Sequence, residues 1–153
     1  MKKIKVLNGP NLNLLGEREP DKYGTLTLSE LEKEISNSFP DIEFEFFQSN
    51  LEGELVNHLH LAKKDGFLGV VINPGGFSHT SVSILDAIKS INLPVVEVHL
   101  TNLSSREKYR QNLITGSGCI SVIQGGGLNA YLSAIYLLNN LIKQTWSDNV
   151  SND

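Results

Sequence analysis

The chain has 153 residues, 40% of them hydrophobic and 20% charged, with a formal net charge of -4. One domain with a single core is expected at that length, and the composition excludes disorder, collagen-like repeats and coiled coil. A mildly acidic chain gives no electrostatic reason for nucleic acid or an anionic membrane as partner, so any anionic ligand must be held by local groups. The opening Met-Lys-Lys-Ile-Lys-Val-Leu-Asn lacks the apolar stretch of a signal peptide, and no run approaches the ~18 apolar residues of a membrane helix. The expected location is the cytoplasm. A single cysteine, Cys119, allows no internal disulfide, and the four histidines are not spaced for zinc, so no metal site is expected. Within Cys-Ile-Ser-Val-Ile, Cys119 reads as a small buried hydrophobe rather than a reactive thiolate.

In chain order, five β-branched or aromatic runs predict strands at Ile4 to Leu7, Ile42 to Phe47, Gly69 to Ile72, Val95 to Val98 and Ile120 to Ile123. Between them lie helically spaced apolar residues: Leu28, Leu31 and Ile35; Leu51, Leu55, Leu59 and Ala62; Val82, Leu85 and Ile88; Tyr131, Ile135, Leu138 and Ile142. Thr27 with Glu30, and Ser49 with Glu52, each fit a capping box at a helix start. The fourth connection is less regular, with a short charged helix expected over Ser104 to Arg110 and irregular chain from Gln111 to Gly118. Alternating strands and helices with apolar strands imply an α/β fold: a flavodoxin-like three-layer sandwich with a five-stranded parallel sheet of order 2-1-3-4-5. A single catalytic domain is expected over residues 1–145. The polar tail 146–153 is expected to fray, with Trp146 docking on a surface.

In an open parallel sheet the ligand lies beyond the carboxyl ends of the strands. Those ends are polar here: Asn8-Gly-Pro-Asn11-Leu-Asn13, Gln48-Ser-Asn50, Asn73-Pro-Gly-Gly-Phe-Ser-His79, Glu97-Val-His99 and Gln124-Gly-Gly-Gly. An asparagine after a strand is often only a turn former, but their gathering around the first and third strands favours a site. The ends lack the aspartate of a response-regulator receiver and the hydroxyl-rich loop of a flavodoxin. Gly125 to Gly127 lacks a full phosphate-binding spacing and suits tight packing better than anion binding. Glu97 and His99 alternate along one strand, so they share a face, where the carboxylate can orient the imidazole. His58 and His60 share no helix face and suit surface or packing roles. The connection from Pro10 to Thr25 is long enough to be a lid, with Gly16 and Gly24 as hinges for Arg18 and Tyr23. From pattern alone, a solvated arginine and a packing tyrosine account for it equally well.

The motifs Asn-Gly-Pro-Asn-Leu-Asn-Leu-Leu-Gly-x-Arg-Glu-Pro-x-x-Tyr-Gly, Phe-Phe-Gln-Ser-Asn-x-Glu-Gly-Glu-Leu, Ile-Asn-Pro-Gly, Ser-His-Thr-Ser, Glu-Val-His-Leu and Ser-Arg-Glu-x-Tyr-Arg together resemble the type II 3-dehydroquinases, in order and over about residues 4–142. The resemblance implies a flavodoxin-like fold, assembly into a dodecamer of trimers, and dehydration of 3-dehydroquinate to 3-dehydroshikimate with neither cofactor nor metal. It implies Tyr23 as the base at C2, Arg18 as the group that stabilises its phenolate, and His99 as the acid for the C1 hydroxyl. It further implies that Asn11 holds a water near the enolate and that Glu97 supports His99. Asn73, His79 and Arg110 would bind the substrate hydroxyls, the backbone amides of Leu100 and Thr101 its carboxylate, and Asp86 would approach from a neighbouring subunit. The segment Asn112 to Gly118 carries no part of the resemblance.

A tyrosine base makes a physical demand. With an ordinary pKa of ~10, lowering it to neutrality takes about 4 kcal/mol of preferential stabilisation, which a guanidinium in a closed lid can provide. No lysine stands among the strand ends, which disfavours a Schiff-base route. The competing class is a non-catalytic flavodoxin-like module for a small polyhydroxylated anion, which would need no tyrosine and arginine on one loop facing a histidine.

Overall fold

Five strands, β1 (Lys2–Asn8), β2 (Ile42–Gln48), β3 (Gly69–Asn73), β4 (Val95–His99) and β5 (Ser121–Gln124), form one sheet in the order β2-β1-β3-β4-β5, every pair parallel. The computed structural model describes the backbone of residues 1–150 and the side chains of residues 1–144. The helices are α1 (Pro20–Tyr23), α2 (Leu28–Ser38), α3 (Glu52–Lys64), α4 (Val82–Ser90) and α5 (Leu128–Val150). This is the expected order and class. The last helix continues to Val150, past the boundary expected at residue 145, and the Trp146 side chain and residues 151–153 lie outside the described residues. Among the described residues no helix is long and apolar enough to cross a membrane.

Strand alternation divides the core between the two faces. Ile4, Val6, Val71 and Val96 pack with Leu31 and Ile35 of α2 and with Tyr131, Ile135 and Leu138 of α5. Leu7, Val70, Ile72 and Val95 face Leu55 and Leu59 of α3 and Ile84 and Ile88 of α4. Lys5 lies on this second face with no exposure to solvent. Its ammonium reaches Glu45, its register partner on β2, at 3.0 Å, and donates to the His58 carbonyl at 3.3 Å. His58 stacks on Phe47 with ring centroids 3.5 Å apart, a packing role as expected.

Of the two expected capping boxes, one forms. Thr27 and Glu30 form the capping box, with Thr27 Oγ1 accepting from the Glu30 amide at 3.2 Å and Glu30 Oε2 accepting from the Thr27 amide at 3.1 Å. Ser49 does not. Its amide extends the sheet ladder by donating to the Asn8 carbonyl, and its hydroxyl accepts from the Leu51 amide, so α3 starts only after Leu51. Leu51 is accordingly exposed rather than core. On α4, Ser81 accepts from the Ile84 amide and sets the helix phase, so that Ile84, Ala87, Ile88 and Ile91 face the sheet. Val82, expected in that stripe, is 56% exposed. The charged helix expected over Ser104 to Arg110 is instead two 3-10 turns, Leu103–Ser105 and Lys108–Gln111, with Arg106 extended between them.

Thr27→Ala removes one half of the capping box and should lower stability by about 1 kcal/mol, read as a smaller urea midpoint at unchanged slope.

Candidate active site

The polar strand ends fall into rows because the register aligns them. Gln48, Asn8 and Asn73 are successive partners across β2, β1 and β3, and His99 pairs with Gln124 across β4 and β5. Asn8 and Asn73 are buried and are joined by Tyr131 of α5, whose hydroxyl donates to Asn8 Oδ1 at 2.6 Å and accepts from Asn73 Nδ2 at 2.9 Å. Burial raises the pKa of Tyr131 above the ordinary phenol range, which keeps its proton available for that bond. Asn73 Oδ1 also accepts from the Gly75 amide at 3.1 Å, which fixes the turn after β3.

Above this row lies a cleft lined by Asn11, Arg18, Tyr23, Asn73, His79, His99, Leu100, Thr101, Arg106 and Arg110, with Pro10, Leu12, Gly75, Gly76 and Leu103 completing the wall. All but two of the residues expected at the site therefore meet here. Glu97 stands directly behind His99, with its Oε2 2.8 Å from His99 Nε2, and has no exposure. Asp86 is exposed on α4 and is not part of this lining. The cleft takes in every arginine of the chain, Arg18, Arg106 and Arg110, and no carboxylate lines it. Such a site is suited to an anion.

Tyr23 reaches the cleft from α1, within the long connection after β1. Its hydroxyl accepts from Arg106 Nη1 at 2.9 Å, and the same nitrogen lies 3.3 Å from Thr101 Oγ1. Arg18, expected as the partner of Tyr23, lies over its ring with the guanidinium carbon 5.1 Å from the centroid, and its Nε is 3.8 Å from a Glu19 oxygen. The direct hydrogen bond to the phenol thus comes from Arg106, a residue for which the sequence suggested no role. Its signal was its place in Ser-Arg-Glu-x-Tyr-Arg, where the second arginine, Arg110, drew the attention. Arg106 is itself located by its loop: the Leu103 amide donates to Gln124 Oε1 at 2.8 Å, and Gln111 Nε2 donates to the Leu103 carbonyl.

On the opposite wall, His79 Nδ1 donates to the Asn112 carbonyl at 2.8 Å, and its ring lies parallel to that of His99 with centroids 6.4 Å apart. The amides of Gly125 and Gly127 donate to the carbonyls of His99 and Leu100, and all three glycines have positive φ, so the run turns the chain at the strand end rather than making room for close packing. Cys119 is partly buried, and burial, with Glu97 adding to it, pushes its thiol up to about 12, which leaves it a poor nucleophile at neutral pH. Among the described residues no group of three or more His, Cys, Asp and Glu side chains could hold a metal ion.

The chemical content of the cleft is a phenol on a loop held by a guanidinium, facing an imidazole backed by a carboxylate. That pair can remove one proton and deliver another. Residues 2–139 match the family model described as Dehydroquinase class II. A 3-dehydroquinate dehydratase of Clostridium botulinum (strain Hall) is 47% identical over 147 residues, covering 94% of this chain and 99% of the relative. Among solved structures, a type II dehydroquinase from Butyrivibrio crossotus superposes with TM-score 0.88 at 40% identity, covering 90% of this chain and 97% of that one. One from Propionibacterium acnes gives 0.85 at 35% identity, covering 91% and 97%.

Tyr131→Phe removes the hydroxyl that joins Asn8 to Asn73 and leaves buried amides unpaired, so it should destabilise the fold by about 1–3 kcal/mol in urea unfolding.

Proposed function

The chain belongs to the class II dehydroquinase family, and we infer that it removes water from 3-dehydroquinate to give 3-dehydroshikimate, a lyase reaction of the shikimate pathway leading to aromatic amino acids. In the mechanism we propose, the Tyr23 phenolate takes the proton from C2 and the C–H electrons form the enolate at C3. Expulsion of the C1 hydroxyl then forms the C1–C2 double bond, with His99 supplying the proton that turns the leaving group into water. A proton passing from Tyr23 to His99 through solvent resets the site.

The observation that carries this reading is the placement of both groups on one cleft, Tyr23 Oη 2.9 Å from the Arg106 guanidinium and His99 Nε2 2.8 Å from Glu97. The phenol oxygen is held in hydrogen-bond contact with a fixed guanidinium, and Arg18 lies above the ring, so two cations stand beside the reacting phenol. Glu97 orients the imidazole and, by occupying Nε2, leaves Nδ1 to serve the leaving hydroxyl. Asn11 holds a water at the enolate oxygen. Asn73, His79 and Arg110 bind the substrate hydroxyls, and the amides of Leu100 and Thr101 its carboxylate.

Deuterium exchange at C2 separates the two steps. Tyr23→Phe should lose both exchange and dehydration, while His99→Ala should keep exchange and slow dehydration by about 10²- to 10⁴-fold. Tyr23→Phe turning over within about threefold of wild type would remove the base from this scheme. Arg106→Gln should impair exchange at least as strongly as Arg18→Gln, since only Arg106 bonds the phenol directly.

The assembly belongs to the same proposal: trimers, gathered into a dodecamer, in which Asp86 completes the site of a neighbour. Its support is that Asp86 is exposed on α4 near the exposed Val82, away from its own cleft. A single cysteine suits a reducing compartment, and we place the protein in the cytoplasm. Light scattering should give a mass well above the 16.9 kDa of one chain, and Asp86→Ala should weaken assembly or raise KM. A monomer that is fully active at assay concentration is the contrary result.

A further inference from the structure

Behind the cleft, two buried hydroxyls outside its lining converge on the carboxylate that backs His99. Ser78 Oγ donates to Glu97 Oε2 at 2.9 Å, on the same oxygen that meets His99 Nε2, and Thr115 Oγ1 donates to Oε1. Ser78, Glu97 and Thr115 have no exposure to solvent. Thr115 opens the 3-10 turn Thr115–Gly118, within the segment that carried no recognisable pattern in the sequence. The turn is pressed onto Glu97: a Cβ at Gly116 would fall 3.3 Å from Oε2 and 2.8 Å from the Val122 side chain, so the approach depends on glycine. The same segment supplies the Asn112 carbonyl that accepts from His79 Nδ1. One loop thereby governs the orientation of both histidines of the cleft.

The terminal torsion of a glutamate is broad and nearly two-fold, so a rotamer alone does not fix the carboxylate plane. A partner on each oxygen does. Among the described residues Thr115 is the one donor to Oε1, whereas Oε2 has two. Without that hydroxyl, Oε1 becomes a buried charged acceptor with no partner, an unfavourable state relieved by turning the carboxylate. The turn takes Oε2 off His99 Nε2.

We propose that Thr115 is a positioning residue for the dehydration, acting through Glu97 to hold His99 in the orientation that delivers its proton to the leaving hydroxyl. This rests on the reading of His99 as the acid. Thr115 makes no contact with the cleft, so substrate binding and the Tyr23 step do not depend on it.

The test compares Thr115→Val, which keeps the shape and removes the hydroxyl, with Thr115→Ser, which restores it, and with His99→Ala. Formation of the conjugated enone gives kcat and KM, and deuterium uptake at C2 follows the first step. Thr115→Val should lower kcat by about 10- to 100-fold with KM changed by no more than about twofold, and C2 exchange should persist. Thr115→Ser should recover most of the loss. If the valine variant does not fold, Thr115→Ala, which places no methyl against the carboxylate, is scored in the same way. Thr115→Val with kcat within about threefold of wild type, beside an impaired His99→Ala, overturns this inference and leaves the acid assignment intact. Equal loss of exchange and dehydration in Thr115→Val overturns it too, because the whole site has then been disturbed. Normal dehydration by His99→Ala removes the acid assignment and this inference together.

Discussion

A carboxylate enclosed where water does not reach is tolerated only if donors surround it, and Glu97 is the point around which the carboxyl end of the sheet is organised. β4 runs between β3 and β5, with Glu97 in register with Ile72 on one side and Val122 on the other. Its donors must therefore come from above the strands: Ser78 from the turn after β3, His99 from β4 itself, Thr115 from the connection into β5. Satisfying one buried charge fixes three separate pieces of chain. The pieces so fixed carry or orient His79 and His99, one wall of the cleft.

The opposite side of the cleft is built on another plan. Tyr23 and Arg18 belong to a long connection that leaves β1 and crosses the strand ends, with Gly16 and Gly24 both at positive φ (92° and 77°) at its bends. Tyr23 meets the rigid part through a hydrogen bond from Arg106, whose loop is pinned at Leu103 by Gln111 and Gln124, and through partial packing of its ring against the core. The histidine side is preorganised by the core. The tyrosine side hangs on a connection bounded by two glycine bends, so the two halves of the cleft are held by different means.

The sequence made the fold legible because apolar periodicity, alternating between strand and helix spacing, survives in every element that touches the core. It was less informative where local chemistry competes with pattern. Ser49 satisfies the capping spacing, yet its amide is taken by the sheet ladder, so α3 begins later. Val82 looks apolar enough for the core stripe, but the Ser81 cap rotates α4 and turns it outward. Within the site, Glu97 and His99 were visible as a pair because strand alternation is a rigid rule. Arg106 and Thr115 lie on 3-10 turns or extended chain with no period, so nothing in spacing could show that one bonds Tyr23 and the other Glu97.

A chain with a net charge of -4 has placed its three arginines around one opening and no carboxylate among them. The field of such a cleft gathers anions from solution, and a carboxylated substrate arrives faster for it, the more so at low ionic strength. The dehydrated product keeps that carboxylate and has lost only a hydroxyl. Attraction by charge consequently does not tell the two molecules apart. What distinguishes product from substrate in such a cleft is the missing hydroxyl and the hydrogen bonds that go with it, so emptying the site is a matter of lost hydrogen bonds rather than of charge.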